Sequence, residues 1–287
     1  MGKGRAAMNR IRSRGKLLRD IVSYSYLSIL SIMAVFPLFW ILSSSIKSKG
    51  EITGNPTALL PEKISFEFYR IVIGQMNFST NIVNSILIAG ITTAVAISVS
   101  ALAAYGIVRF LPGLGKIMTR ILITTYMFPP ILLAIPYSII MGKSGLMNTR
   151  AGLIVVYMSF SVPYAVWLLT GFFRTVPLEI EEAGRIDGAD KVTIFLQIVL
   201  PIVAPGIVAV AIYTFINAWN EFLYSLIMIN DNTKMTVSVA LKSLEGQEVL
   251  DWGTMMAASA LVVVPSVVFF MFIQKRIAGG LAQGSIK

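Results

Sequence analysis

Apolar residues fall into six long runs that no charge interrupts. Between Asp20 and Lys47 lie 26 uncharged residues, and between Arg70 and Arg109 lie 38. The later runs hold 22 residues (Arg120 to Lys143), 23 (Arg150 to Arg174), 29 (Lys191 to Glu221) and 23 (Asp251 to Lys275). A helix needs roughly twenty apolar residues to cross about 30 Å of hydrocarbon. The pattern therefore predicts six transmembrane helices, at about 21–46, 81–108, 119–141, 151–173, 203–229 and 254–275. The predicted fold class is an all-α membrane protein. It is organised as a basic tail (1–20), a first helix with an outward loop (21–79), a membrane core (80–276) and a C-terminal tail (277–287). At 26 residues the first run far exceeds the roughly 7–15 of a signal-peptide apolar region, which predicts a retained anchor.

Composition agrees with a non-aqueous solvent. Of 287 residues 56% are hydrophobic and only 13% charged, against about 25% charged in soluble domains. The net charge of +10 is unevenly placed. Lys3, Arg5, Arg10, Arg12, Arg14, Lys16 and Arg19 crowd the first twenty positions. This placement suits a topology signal that also touches anionic membrane lipid better than a nucleic-acid surface. Lysine and arginine total 16 on the side holding both termini and 8 on the other, so both termini are expected in the cytoplasm.

Catalytic signatures are missing. There is no cysteine and no histidine, which removes thiolate chemistry and the commonest general base and metal ligand. Gly142-Lys143-Ser144 imitates the end of a phosphate-cradling loop, but Tyr137 stands where its first glycine belongs. Gly115-Lys116 fails likewise, with Phe110 at that place and Ile117 after the lysine. No carboxylate pair lies inside a span, so neither a proton relay nor a membrane-embedded enzyme is supported. No cofactor or metal is expected on this chain.

One charge does lie at membrane depth. Glu221 follows a helical stripe of Tyr213, Asn217 and Asn220 that Tyr224 continues. A carboxylate in hydrocarbon is costly and usually faces a bundle interior or a wet cavity. Two tyrosines among amides and a carboxylate would suit hydroxyl-rich ligands. The same residues would equally serve as glue between helices and as an interfacial aromatic belt.

The inward segment at about 174–200 is acidic where basic loops are the rule, with Glu179, Glu181, Glu182, Asp187 and Asp190. Pro177 suits a first helical turn, and the glutamates favour the positive end of the helix dipole. Asp187-Gly188 reads as a turn, and Asp190 as the cap of a second helix running to Pro201. The segment predicts a short helix-turn-helix against the membrane, with Ala183 and Gly184 small enough for close approach.

Glu182-Ala183-Gly184, followed by Asp187-Gly188-Ala189, then Ile198-Val199-Leu200-Pro201 and Pro205, resembles the EAA loop of binding-protein-dependent ABC importer permeases. The likeness is to the second permease of the maltose-type carbohydrate group. Asn84-Ser85, Ala104-Tyr105-Gly106 with Arg109, Gly145-Leu146-Met147-Asn148-Thr149, Trp219-Asn220-Glu221 and the ending Gly279–Gly284 resemble that group in the same order. One departure is Gly184 in place of the third alanine, which keeps the position small but costs the helix about 1 kcal/mol.

The resemblance implies a type I ABC permease core over 80–276 in a prokaryotic inner membrane. It implies four kinds of partner: a second homologous permease, two cytoplasmic ATPase subunits that bind ATP and magnesium, an extracytoplasmic solute-binding protein, and membrane lipid. The EAA helix becomes the coupling helix, with Glu182 facing a basic residue of the ATPase. The loop at 231–253 would meet the solute-binding protein, and the tail after Ile277 would reach the ATPases. The implied substrate is a carbohydrate, an oligosaccharide, with a glycerol-phosphate-type solute as alternative. An ion-coupled secondary transporter is the rival from another class. Orientation is testable directly. With single cysteines at Ser13, Ser48 and Ser243 of this cysteine-free chain, an impermeant thiol reagent is expected to label Ser48→Cys and Ser243→Cys in intact cells. It should spare Ser13→Cys, and labelling there would reverse the topology.

Overall fold

A computed structural model describes residues 2–111, 113–246 and 251–284, with side chains described over 19–111, 113–245 and 251–271. Residues 285–287 of the expected C-terminal tail, 247–250 of the outward loop and the side chains of 2–18 and 272–284 lie outside the described residues. Among the described residues the chain is helical and without strands. In order the helices are α1 (Gly2–Ser45), α2 (Lys49–Gly54), α3 (Glu67–Gly74), α4 (Phe78–Phe110), α5 (Gly115–Tyr126), α6 (Pro130–Lys143), α7 (Arg150–Arg174) and α8 (Leu178–Ile186). There follow α9 (Lys191–Ile202), α10 (Ala204–Asn220), α11 (Leu223–Met228), α12 (Val237–Ser243) and α13 (Trp252–Gly284).

Four stretches are long and apolar enough to cross a membrane: Arg19–Ser45, α4, α7 and Trp252–Met271. Counting two bent pairs as one span each raises the number to six. The expected continuous span at 119–141 is broken, since α5 and α6 meet at 92°. Pro129 and Pro130 lack N–H donors, and each disfavours helical backbone in the residue before it. The expected span at 203–229 is broken once, and the helix leading into it arrives at an angle. α9 and α10 meet at 75° between Pro201 and Pro205, and α10 stops at Asn220 because Glu221 adopts extended backbone (ψ 129°). α9 is also irregular, widening into a π-helical turn over Ile194–Val199.

The chain divides into two compact units, residues 1–72 with 251–260, and residues 73–250 with 261–287. In the second, α4 packs along α7, α10 lies against both, and α5 lies against α7. Close approach comes from small buried residues on α4, namely Ala89, Ala96, Ser100, Ala101 and Ala104. Ala101, Leu169, Phe173, Val199 and Val210 form the core there. In the first unit Lys47 is 1% exposed. Its ammonium donates to the Ala58 carbonyl at 2.5 Å and sits 5.2 Å from the centre of the Trp40 ring, so the charge is buried but satisfied.

The start of α7 depends on a glycine. Thr149 caps it by accepting from Gly152 N–H (3.0 Å), which draws the preceding turn so close that a Cβ on Gly152 would stand 2.2 Å from the Leu146 carbonyl oxygen. Backbone cannot step aside as a flexible side chain can. Gly152→Ala is expected to destabilise the protein by about 1–3 kcal/mol, read as an earlier midpoint in detergent or thermal unfolding.

Candidate functional site

The break between α5 and α6 and the break after α10 face a common cavity of about 520 Å³. Tyr213, Asn217, Asn220, Glu221 and Tyr224, expected as one helical stripe, all line it. They are not one stripe, however. Tyr224 belongs to α11, beyond the interruption at Glu221. Residues that sequence reasoning missed complete the wall: Tyr126 and the Met127–Pro130 bend, Tyr137, and Ser159–Ser161 on α7. Their signal was the Pro129-Pro130 pair, which marks the break that opens the space.

Aromatic rings define this wall. Tyr164 stacks on Tyr213 with centroids 3.9 Å apart, Tyr126 lies 5.3 Å from Tyr164, and the hydroxyls of Tyr126 and Tyr213 are hydrogen-bonded. Phe160 stacks on Tyr224, and Tyr137 meets Tyr224 edge-on.

Glu221 and Tyr224 are tied into the scaffold. The Glu221 carboxylate accepts the Tyr157 hydroxyl at 2.5 Å and the backbone N–H groups of Tyr224 (2.9 Å) and Ser225 (3.2 Å). It therefore caps α11, where the helix dipole favours negative charge. Tyr224 is buried, and its hydroxyl donates to the Pro130 carbonyl at 2.7 Å, at the start of α6. By contrast, Asn217 and Asn220 are exposed to the cavity. Asn217 spends one amide hydrogen on the Tyr213 carbonyl (2.7 Å), and Asn220 makes no side-chain hydrogen bond among the described residues. These two amides keep hydrogen-bonding capacity unspent toward the cavity.

A second site lies in the acidic segment. Glu181, not Glu182, is its buried carboxylate. Glu181 is 0% exposed, pairs with Arg109 Nε at 2.5 Å and accepts the Tyr105 hydroxyl at 2.8 Å. Arg109 also donates to the Val176 carbonyl (2.8 Å). The end of α4 is thereby fastened to the start of α8. The glutamates had been assigned to the helix dipole, and only the buried partners separate Glu181 from Glu179 and Glu182, which are exposed.

The rest of the motif divides by face. Ala183 is exposed with Glu182, whereas Gly184 is buried and turned inward, where a Cβ would stand 2.7 Å from Ile198 Cδ1. The smallness of Gly184 thus serves packing of α8 on α9. Asp187 closes α8, Gly188 takes φ +86°, and Ala189 N–H returns to the Gly184 carbonyl at 2.9 Å, an αL termination that glycine allows. Asp190 caps α9 through Thr193 N–H (2.8 Å), and the Thr193 side chain together with that N–H holds its carboxyl below the usual range. Pro201 stands near the end of α9, just before the 75° bend. Pro177, expected inside α8, occupies the position before it.

Motifs at the opposite end brace the segment after α11. Asn84 donates to the carbonyls of Thr233 (2.9 Å) and Met235 (3.0 Å), and Ser85 accepts from Val237 N–H (2.8 Å). Asn148 accepts from the N–H groups of Asn230 and Asp231, both at 3.1 Å.

A helical membrane bundle with an aromatic-lined cavity between interrupted helices, and a fastened helix-turn-helix at one end, suits a solute-translocating membrane subunit. The chain belongs to the family described as binding-protein-dependent transport system inner membrane component, which matches residues 96–283. It is 35% identical to the trehalose transport system permease protein SugB of Mycobacterium tuberculosis, over 88% of this chain and 93% of that one. It is 31% identical to the trehalose/maltose transport system permease protein MalG of Thermococcus litoralis, over 96% and 99%. Its fold matches a chain in the crystal structure of a bacterial ABC transporter involved in import of the acidic polysaccharide alginate. That match has a TM-score of 0.80 at 22% identity, covering 91% of this chain and 97% of the other. The protein is thus a multi-pass component of an inner-membrane transport system with the type I ABC permease fold.

The cavity residues should separate by experiment. Glu221→Gln turns an amide toward N–H donors and is expected to cost about 2 kcal/mol or more of stability. Asn217→Ala and Asn220→Ala are expected to stay within about 0.5 kcal/mol of the parent while lowering solute uptake. Unfolding midpoints measured beside uptake rates distinguish the two classes.

Proposed function

We propose that the chain is one of two permease subunits through which an ATP-driven importer passes a carbohydrate, an oligosaccharide delivered by an extracytoplasmic solute-binding protein. The observation that carries the substrate class is the cavity lining. It offers tyrosine, asparagine and serine groups with one carboxylate already engaged as a cap, and no lysine or arginine. Rings that stack on sugar faces and amides that exchange hydrogen bonds with hydroxyls suit an uncharged saccharide. A phosphate-bearing solute would meet a carboxylate and no cation, which favours the sugar over the glycerol-phosphate-type alternative. The trehalose and maltose named for the two relatives support the same class.

In this reading both termini are cytoplasmic, and two separate ATPase subunits bind ATP and magnesium. The face of α8 carrying Glu182 and Ala183 docks on one of them. Gly184, Asp187, Gly188, Ala189 and Pro201 shape the loop from within. Glu181 passes the displacement to α4 through Arg109, and α4 runs beside the cavity-lining α7 and α10. The segment following α11, braced by Asn84, Ser85 and Asn148, meets the solute-binding protein.

Two measurements on the reconstituted complex test the proposal. Uptake of labelled neutral disaccharides should exceed uptake of glycerol 3-phosphate, and the reverse order would exclude the sugar assignment. Glu182→Lys should leave the permease folded while abolishing substrate-stimulated ATPase and transport, through like-charge repulsion of about 2–5 kcal/mol at the docking surface. Normal coupling in that variant would remove Glu182 from the interface. Glu181→Gln should instead lower stability by about 3–5 kcal/mol, since it strands Arg109 without its counter-ion.

A further inference from the structure

A groove of about 350 Å³ between α5 and α7 is lined by Lys116, Thr119, Arg120, Ile123, Trp167 and Arg174. Its three cations are unusual in their company. Among the described residues none of them takes part in an ion pair or a side-chain hydrogen bond. A requirement for positive charge on one side of a membrane explains why such residues flank spans, but it does not bring three of them from two helices into one groove. Three cations lining one groove, none of them paired, make a favourable place for an anion.

The groove is graded along the helices. Lys116 lies in the first turn of α5 and Arg174 in the last turn of α7, so the charged end is the rim of the apolar spans. Arg120 lies one turn deeper. Trp167 is seven residues up α7 from Arg174, about 10 Å along the axis, and is 40% exposed. Gly171 lies between them on α7, and open space surrounds the place its Cβ would take. On the outer faces of α5, Ile117 and Ile121 are more than half exposed. A cationic rim, then an indole, then bare aliphatic surface matches the order of a phospholipid from headgroup to acyl chain.

We propose that this groove binds the headgroup phosphate of an anionic phospholipid, with Lys116, Arg120 and Arg174 around the phosphate and Trp167 at the level of the glycerol backbone. A soluble phosphate ester in transit is the other source of the same chemistry. The lipid is favoured because the 520 Å³ cavity holds no cation to admit such a solute, and because the groove continues onto apolar surface. The site is independent of which solute the cavity takes.

The test uses the purified full-length permease complex, exchanged into bilayers of phosphatidylcholine with or without phosphatidylglycerol. Tightly retained lipids are counted by native mass spectrometry after partial delipidation. The parent complex should retain phosphatidylglycerol in preference to phosphatidylcholine. The triple variant Lys116→Gln, Arg120→Gln, Arg174→Gln should lose that preference by about tenfold or more, and raised salt should weaken it in the parent. The double variant Arg120→Lys, Arg174→Lys keeps the charge and should keep the preference, which separates headgroup binding from misfolding or altered topology. Equal retention in the parent and the Gln variant would overturn the proposal. So would saturable binding of inorganic phosphate to the parent without any preference for phosphatidylglycerol, because the site would then belong to a soluble anion.

Discussion

The pair between Glu181 and Arg109 governs how the end of the bundle that carries α8 can be arranged. Both side chains are nearly withdrawn from solvent, at 1% and 12% exposure, so each charge is tolerable only in the other's presence. The Tyr105 hydroxyl and the Val176 carbonyl satisfy what remains of their hydrogen-bonding capacity. With Glu181 fixed inward, helical geometry settles the rest of α8. Gly184, three residues on, must also face inward, and it packs on Ile194 and Ile198, where an added Cβ would require the Ile198 side chain to shift. Glu182 and Ala183 are left on the outer face. One buried charge pair thus selects which side of a short helix is available to a partner, and in the proposed function that is the face that receives the ATPase.

The cavity shows a different economy, in which interruptions of helices provide the polar groups. At the bend between α5 and α6, the Tyr224 hydroxyl donates to the Pro130 carbonyl. Where α10 stops, Glu221 answers the free N–H groups at the head of α11. Irregular backbone at membrane depth is tolerated only where such partners exist or where the segment borders a wet cavity. The partners are present here.

The sequence was most legible where a single physical requirement dominates. Charge-free runs located every long helix, because hydrocarbon tolerates few charges. Asp190 and Gly188 were readable as a cap and a turn, because their chemistry is local. Legibility failed where a partner distant in sequence decides. Glu181 and Glu182 are adjacent and identical, and only Arg109, 72 positions away, separates them. Glu221 stood out as a charge in an apolar run, yet its work as a helix cap depends on a break that hydropathy does not register. The double proline at 129–130 was visible but lay within a run long enough to pass as one span. The groove of Lys116, Arg120 and Arg174 was counted as three flanking charges, since counting carries no information about convergence.

The uneven binding of the cavity residues has an evolutionary consequence. Tyr224 and Glu221 are each held by contacts on other helices, so replacing them disturbs the bundle as well as the wall. Asn217 and Asn220 carry almost no such obligations. In the proposed function, a lineage adapting to a new nutrient can therefore vary these two positions in single steps without first acquiring compensating changes elsewhere. Divergence in solute preference should accumulate there while the tyrosine and carboxylate framework drifts slowly. The architecture keeps a small adjustable part inside a conservative frame.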